Sequence, residues 1–275
     1  MASTISKALP RASVPFNFFR NLSALRKKEI HVLTLYGLPS CAGLRSSSPW
    51  VMKVELALRY LELDYSLVQL PVWRYFLLGT PTSQVPYLII DGEPLIESER
   101  ILKAIERKAA PLAFPNPPDQ DHETGVAFTR LIEDHLYPII CKSKHSDPDT
   151  TKLMWAEMIP YPWFPAGPFS KMVQRLVWKR RLATTSIGGL TNDEVREEAR
   201  KDIRTLAARL SKINFIASES LTMYDFTVSA HIASILFWRT DNWLAPLFRE
   251  KEIFYHYLAK VAEAVGGFDF ELMEQ

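Results

Sequence analysis

A run of hydroxyls, Ser46-Ser47-Ser48, stands directly before Pro49-Trp50-Val51-Met52-Lys53-Val54-Glu55-Leu56-Ala57-Leu58. Proline suits the first turn of a helix, and Ser48 suits its N-cap. A hydroxyl at that place can donate a hydrogen bond to a bound thiolate. The helix N-terminus adds positive potential, which lowers the pKa of a thiol held there. The protein then supplies the electrostatics and the bound thiol supplies the nucleophile. Plain N-capping is the alternative role for Ser48. No thiol occupies this position, and Cys41 lies upstream in the loop. Residue type therefore excludes a C-x-x-C redox mechanism here.

A second stretch, Val85-Pro86-Tyr87-Leu88-Ile89-Ile90-Asp91-Gly92-Glu93-Pro94-Leu95-Ile96-Glu97-Ser98, reads as strand, Asp-Gly turn, strand and helix start. Asp-Gly between β-branched and aromatic runs is a strong hairpin signal. Ser98 can cap a helix that starts near Glu99, where free N–H groups suit an anion. The backbone beside Pro86 offers an edge on which an extended peptide can pair. One segment thus places a peptide edge next to a carboxylate corner.

The elements that position these groups follow from pattern. Ile30–Tyr36 is a first strand, ended by Gly37 and Pro39. Val51, Val54, Leu58 and Leu61 recur at helical spacing after Pro49. Tyr65–Leu70 is a second strand, 71–84 a connection, then come the hairpin and a helix over Glu99–Lys108. Pro111, Pro115, Pro117 and Pro118 mark 109–120 as a linker. Beyond it only helices are read: a stripe through Phe128, Leu131, Ile132, His135 and Leu136, then an aromatic, Pro-rich helix–loop segment at 145–170. A helix from Thr191 to about Leu210, another over Phe226–Trp238 and a last one over Glu252–Val265 complete the order. Thr191 with Glu194, and Thr222 with Asp225, have capping-box spacing.

The hairpin segment resembles the glutathione-binding motif of glutathione S-transferases: Val-Pro, a hairpin, then Glu-Ser. Leu221-Thr222-Met223-Tyr224-Asp225-Phe226 is similar to the capping motif of their second domain. The resemblance runs from about Ile30 to Val265. It implies a thioredoxin-like α/β domain over 30–108 and an all-α domain over 121–275. It also implies a site for the tripeptide glutathione as co-substrate. Val85, next to Pro86, would pair with its cysteine residue. Ser98 would hold its γ-glutamyl carboxylate, with Glu97 facing the ammonium. Gln84 stands where tau-class enzymes often have Lys, which weakens the grip on the glycine carboxylate. Ser48-Pro49 resembles the tau-class serine region and makes Ser48 the catalytic hydroxyl. The zeta-class Ser-Ser-Cys-Ser-Trp region aligns Ser46 instead. The implied activity is transfer of glutathione to a small apolar electrophile, or its use to reduce or cleave one, as in detoxification by soluble homodimers. A second branch of the superfamily competes. Trp50, Lys53 and Glu55, with Arg130, Glu133, Tyr137 and the segment Ile187–Val195, look like metaxin and failed-axon-connections proteins, which implies a non-catalytic binding or scaffold role.

Composition sets the remaining bounds. The 275 residues are 47% hydrophobic, with a formal charge of only +2, so nothing in the balance points to nucleic acid. Cys41 and Cys141 fit neither a disulfide framework nor a zinc site, and the histidines lack partners at metal spacing. His135 and His231 are expected as satisfied core histidines, and Lys179-Arg180-Arg181 as a solvated face. The apolar run near Val228–Trp238 contains His231 and Ser234 and falls short of the ~18 residues a membrane span needs. Residues 1–29 are basic and Ser-rich, with no acid before Glu29. That is the composition of a transit peptide to mitochondria or another organelle. The alternative is a basic tail on a cytoplasmic protein.

Overall fold

A computed structural model describes residues 33–70, 85–109, 113–114, 117, 119–146, 148–158, 168–240 and 242–271. The basic N-terminal stretch, Gln84 and the aromatic residues Tyr161, Trp163 and Phe164 lie outside the described residues.

The first half is a thioredoxin-like α/β unit. Its elements are β1 (Leu33–Gly37), α1 (Pro49–Tyr60), β2 (Tyr65–Gln69), β3 (Tyr87–Ile90), β4 (Glu93–Ile96) and α2 (Ser98–Lys108). The sheet order is β2-β1-β3-β4, with β1 and β2 parallel and the other pairs antiparallel. Asp91 and Gly92 take φ of 52° and 86°, so the hairpin turns where Asp-Gly requires it. One expectation shifts by a residue. Helix α2 begins at Ser98 itself, and Glu97 occupies the N-cap position with φ 71°.

The second half is helical. Its elements are α3 (Asp119–Arg130), a π-helical stretch (Leu131–Leu136), α4 (Tyr137–Ser146), α5 (Pro148–Met158), α6 (Pro168–Ala183), α7 (Asn192–Leu210), α8 (Met223–Leu236), α9 (Ala245–Arg249) and α10 (Glu252–Ala264). The widened π turn ends at Leu136, two residues before Pro138. A proline lacks an amide and crowds the carbonyl four residues back, which a wider turn accommodates. Short helix α9 carries no periodic signal and was not expected from sequence.

Helix α1 is buried on nearly every side, because it packs against α8 and α2 and meets β1 at Gly37. Close approach to the sheet depends on Gly37, where an added Cβ would stand 2.7 Å from Val51 Cγ1. Helix α8 is the hub of the second half, buried from Tyr224 to Leu236. Its N-terminus is built around Asp225. This fully buried carboxylate accepts from Thr222 N (2.8 Å), Thr222 Oγ1 (2.7 Å), Ile216 N (2.7 Å) and Tyr257 Oη (2.9 Å). The Thr191–Glu194 box also forms, with Glu194 N donating to Thr191 Oγ1 at 3.3 Å and Thr191 N to Glu194 Oε2 at 2.7 Å. One residue of the Pro-rich connection packs inward: Phe114 is buried against Tyr60 and Phe226, and its amide donates to Glu106.

Candidate functional site

Sheet register brings the predicted residues to one end of the first domain. Tyr36, near the end of β1, pairs with Tyr87 at the start of β3, and Tyr87 pairs with Ile96 at the end of β4. Val85-Pro86 therefore enters, and Glu97-Ser98 leaves, at the sheet end from which the loop to Ser48 departs. The N-termini of α1 and α2 both open there. Each presents amide groups that its own helix cannot satisfy, so positive potential accumulates at that end.

The serines differ in what they are free to do. Ser46 is fully buried and committed: its Oγ donates to Leu38 O at 3.2 Å and accepts from Ser48 N at 3.3 Å. Ser48 occupies the N-cap position of α1, yet its side chain makes no capping bond. Its carbonyl accepts from the amides of Val51 and Met52. Two hydroxyls of the run are therefore uncommitted: that of Ser48 at the N-cap, and that of Ser47, which is buried without a partner. The Val85–Pro86 peptide is cis, and Val85 lies beyond the last paired residue of β3. Ser98 is half-buried at the first position of α2, and Glu97 beside it is exposed.

The loop that delivers these serines is anchored from several directions. Ala42 N donates to Glu157 of α5, and Ala42 O accepts from Arg239 N at 2.9 Å. Arg45 is held on every side: Nε donates to Glu55 Oε1 at 3.0 Å, its carbonyl accepts from Gln69, its amide donates to Phe270 O, and its guanidinium lies over the Phe268 ring. Buried Glu55 takes a second bond from Tyr65 Oη at 2.9 Å. Cys41 is buried in this loop, and burial with Glu157 nearby pushes its thiol up to about 12, far from a reactive thiolate.

A lysine joins the two domains beside the site. Lys53 is fully buried, and its Nζ reaches Glu99 of α2 at 2.5 Å and Glu133 of the π stretch at 3.2 Å. Burial raises the Glu133 carboxyl, and Lys53 opposes that rise. Trp50 lies under the ammonium and meets Tyr137 and His231 edge-on at 5.5 and 4.7 Å. Glu133 and Tyr137, named from sequence, thus meet α1 across the domain junction. Arg130 does not; it lies on the surface, 3.7 Å from Asp134.

Two expectations need correction. His135 is not a core histidine: its Nδ1 stands 2.6 Å from Asp202 and its Nε2 4.0 Å from Glu198, in a half-buried position. A polar contact from α7 competes there with the apolar stripe. His231 is fully buried but only half satisfied, with Nδ1 on Thr227 O at 2.8 Å and no partner for Nε2. Burial lowers it to about 3, so it is neutral at physiological pH.

Sequence reading gave no sign of Lys144. It is buried, donates to Ser234 O at 2.6 Å, and lies 3.8 Å from the centre of the Trp238 ring. Burial lowers its amine to about 7, against an ordinary 10.5. Between these values the unfolded chain binds one more proton than the folded one, so stability rises with pH across that window. Below about pH 7 both states are protonated and this slope vanishes. Urea titrations of the parent and of Lys144→Met between pH 7 and 10 test this; parallel stability–pH curves would remove Lys144 from the account.

Among the described residues no cluster suits a metal ion, and no helix is long and apolar enough to cross a membrane. Two shallow cavities, of about 290 and 400 Å³, flank Arg59 and Gly266 at the far end of α1 from Ser48.

Residues 45–117 match the family described as glutathione S-transferase, N-terminal domain. The chain is 22% identical over 222 residues to Failed axon connections of Drosophila melanogaster, covering 78% of this chain and 52% of that protein. It is 28% identical over 109 residues to the isoprene-epoxide–glutathione S-transferase of Rhodococcus sp. (strain AD45), covering 38% of this chain and 44% of that one. The chain thus spans about half the length of the curated relatives it matches. Among solved structures, glutathione S-transferase III in apo form superposes with a TM-score of 0.56 at 17% identity, over 88% of this chain and 99% of that one. The fold is that of the glutathione S-transferases: a thioredoxin-like domain followed by a helical one.

Proposed function

We propose that this chain binds glutathione at the sheet end shared by Val85, Glu97, Ser98 and Ser48, and activates its thiol for attack on a small apolar electrophile. The observation that carries this reading is the uncommitted Ser48 hydroxyl at the N-terminus of α1, at the same end as the open N-terminus of α2. Two helix N-termini favour a ligand with two anionic groups, here the γ-glutamyl carboxylate at Ser98 and the thiolate at Ser48. The peptide backbone between them suits the edge at Val85.

Calorimetry is the direct test. Glutathione should bind the parent, and Ser98→Ala should weaken binding by about 1–3 kcal/mol, the scale of a hydrogen bond to a charged group. No heat from the parent at millimolar glutathione would end the proposal.

Ser48→Ala should leave glutathione affinity nearly unchanged while raising the pKa of the bound thiol and lowering turnover with a model electrophile roughly ten- to a hundredfold at neutral pH. Ultraviolet absorbance of the bound thiolate reads the pKa directly. Ser46→Ala should act through loop packing, since its hydroxyl is already bonded on both sides. Loss of thiolate in Ser46→Ala with none in Ser48→Ala would reverse the assignment.

The second reading is a non-catalytic binding or scaffold protein. It is supported by the Trp50, Lys53, Glu133 and Tyr137 set at the domain junction and by the likeness to Failed axon connections. Glutathione binding without turnover across several electrophile classes would favour it.

A further inference from the structure

We propose that the solvent face of α6 is a docking surface for an anionic lipid bilayer. That face carries Lys179, Arg180 and Arg181, and the whole helix has no acidic residue, in a chain whose overall formal charge is only +2. Over its described side chains, from Leu176 to Ala183, the helix is mounted on the bundle by one face. The Trp178 ring stacks on His145 at 4.0 Å with an interplanar angle of 20°, and Leu182, one turn on, packs against the core.

The remaining described positions face outward. Leu176 and Val177 are 50% and 42% exposed, and Lys179, Arg180, Arg181 and Ala183 are exposed around them. Among the described residues, the large exposed hydrophobics are Val126, Leu176, Val177 and Tyr255, and only on α6 do two adjoin. Leu176 and Arg180, like Val177 and Arg181, are one turn apart and lie side by side. Lys179 and Arg180 have no acidic partner among the described residues.

This arrangement matches what a membrane interface selects. Aliphatic side chains enter the acyl boundary while basic heads rise along their flexible stems to the phosphates. Two other occupants fit less well. A second copy would bring a face without acids against its own like, setting cation against cation. A nucleic acid would gain nothing from two bare aliphatic side chains, and the Trp178 ring between them and the basic cluster is turned inward onto His145.

The test is co-sedimentation of the full chain with phosphatidylcholine vesicles, with and without phosphatidylserine. The parent should sediment with the anionic vesicles only, and added salt should release it. Leu176→Asp with Val177→Asp should lower the partition coefficient roughly tenfold or more, and so should Lys179→Glu with Arg180→Glu. Melting temperatures should stay near the parent's, because these positions are exposed. If a charge-reversed chain fails to fold, Lys179→Gln with Arg180→Gln serves instead. No sedimentation of the parent overturns the proposal. Equal partitioning of parent and variants also overturns it and places lipid contact elsewhere in the chain. A dimer lost on Leu176→Asp with Val177→Asp, seen by sedimentation equilibrium, assigns the face to a second copy instead.

Discussion

Replacing Asp225 with alanine should prevent the protein from folding to a stable state. The carboxylate is fully buried and receives donors from Thr222 N, Thr222 Oγ1, Ile216 N and Tyr257 Oη. Burial raises its pKa while these donors pull it down, so their combined role is to keep a charge in an apolar interior. Alanine leaves Thr222 N, Thr222 Oγ1 and Ile216 N without an acceptor and without water, and leaves Tyr257 Oη only the residue 225 carbonyl, at 3.4 Å. Each stranded donor costs about 1–3 kcal/mol. The sum is about 5 kcal/mol or more, which reaches the lower end of a whole domain's stability. Helix α8 would lose its anchored start, and α1 packs on α8, so the serine site should fail with it. Soluble yield and thermal melting by circular dichroism measure the effect. Asp225→Asn, which keeps acceptor capacity at one oxygen, should retain part of the stability. A melting temperature for Asp225→Ala within a few degrees of the parent's would disprove this account.

Lys53→Met should destabilise the chain by about 3–5 kcal/mol, the cost of breaking a buried ion pair from one side. The ammonium is fully buried, and Glu133 is only 14% exposed, so that carboxylate cannot recover its hydration when Lys53 is removed. Glu99 is 51% exposed and can, which places the result at the lower end of the range. Combining Lys53→Met with Glu133→Gln should restore part of the loss, because the stranded charge goes too. If glutathione binds as proposed above, its affinity should fall as well, because Glu99 follows Ser98 in the first turn of α2 and Lys53 fixes that turn against α1. A single variant as stable as the parent would show that the pair contributes nothing. A double variant no better than the single would show that the loss comes from packing alone.

Much of the frame was readable because its signals are local. Pro49 after a serine, Asp91-Gly92, Thr191 with Glu194, and Thr222 with Asp225 each act within one turn of chain, and each forms the expected feature. The commitment of the Ser46 hydroxyl was not local. It depends on Leu38 O, which the folded loop brings to Ser46. Lys53 is a similar case. A lysine amid Val51, Met52, Val54 and Leu56 signals a buried partner. The partners, however, lie 46 and 80 residues away, and only docking of the helical domain selects them. His135 looked apolar in its environment because its stripe is apolar, and Asp202, 67 residues on, is invisible to that pattern. Lys144 gave no sign because charged residues are normally exposed, and its acceptor is a backbone carbonyl.

The grip on Arg45 has a consequence for the order of events during synthesis. Arg45 immediately precedes the three serines, and its amide and guanidinium are held by Phe270 and Phe268. Leu44 bridges to Glu271, and Arg59 donates to Gly267 across 208 residues of chain. A growing polypeptide can complete β1, α1 and the hairpin long before those residues leave the ribosome. Contacts of such sequence separation form late. The thioredoxin-like unit should therefore emerge with its sheet in place and its serine loop still unset, so that the Ser46–Ser48 loop takes its final geometry only once residues 266–271 have closed over it.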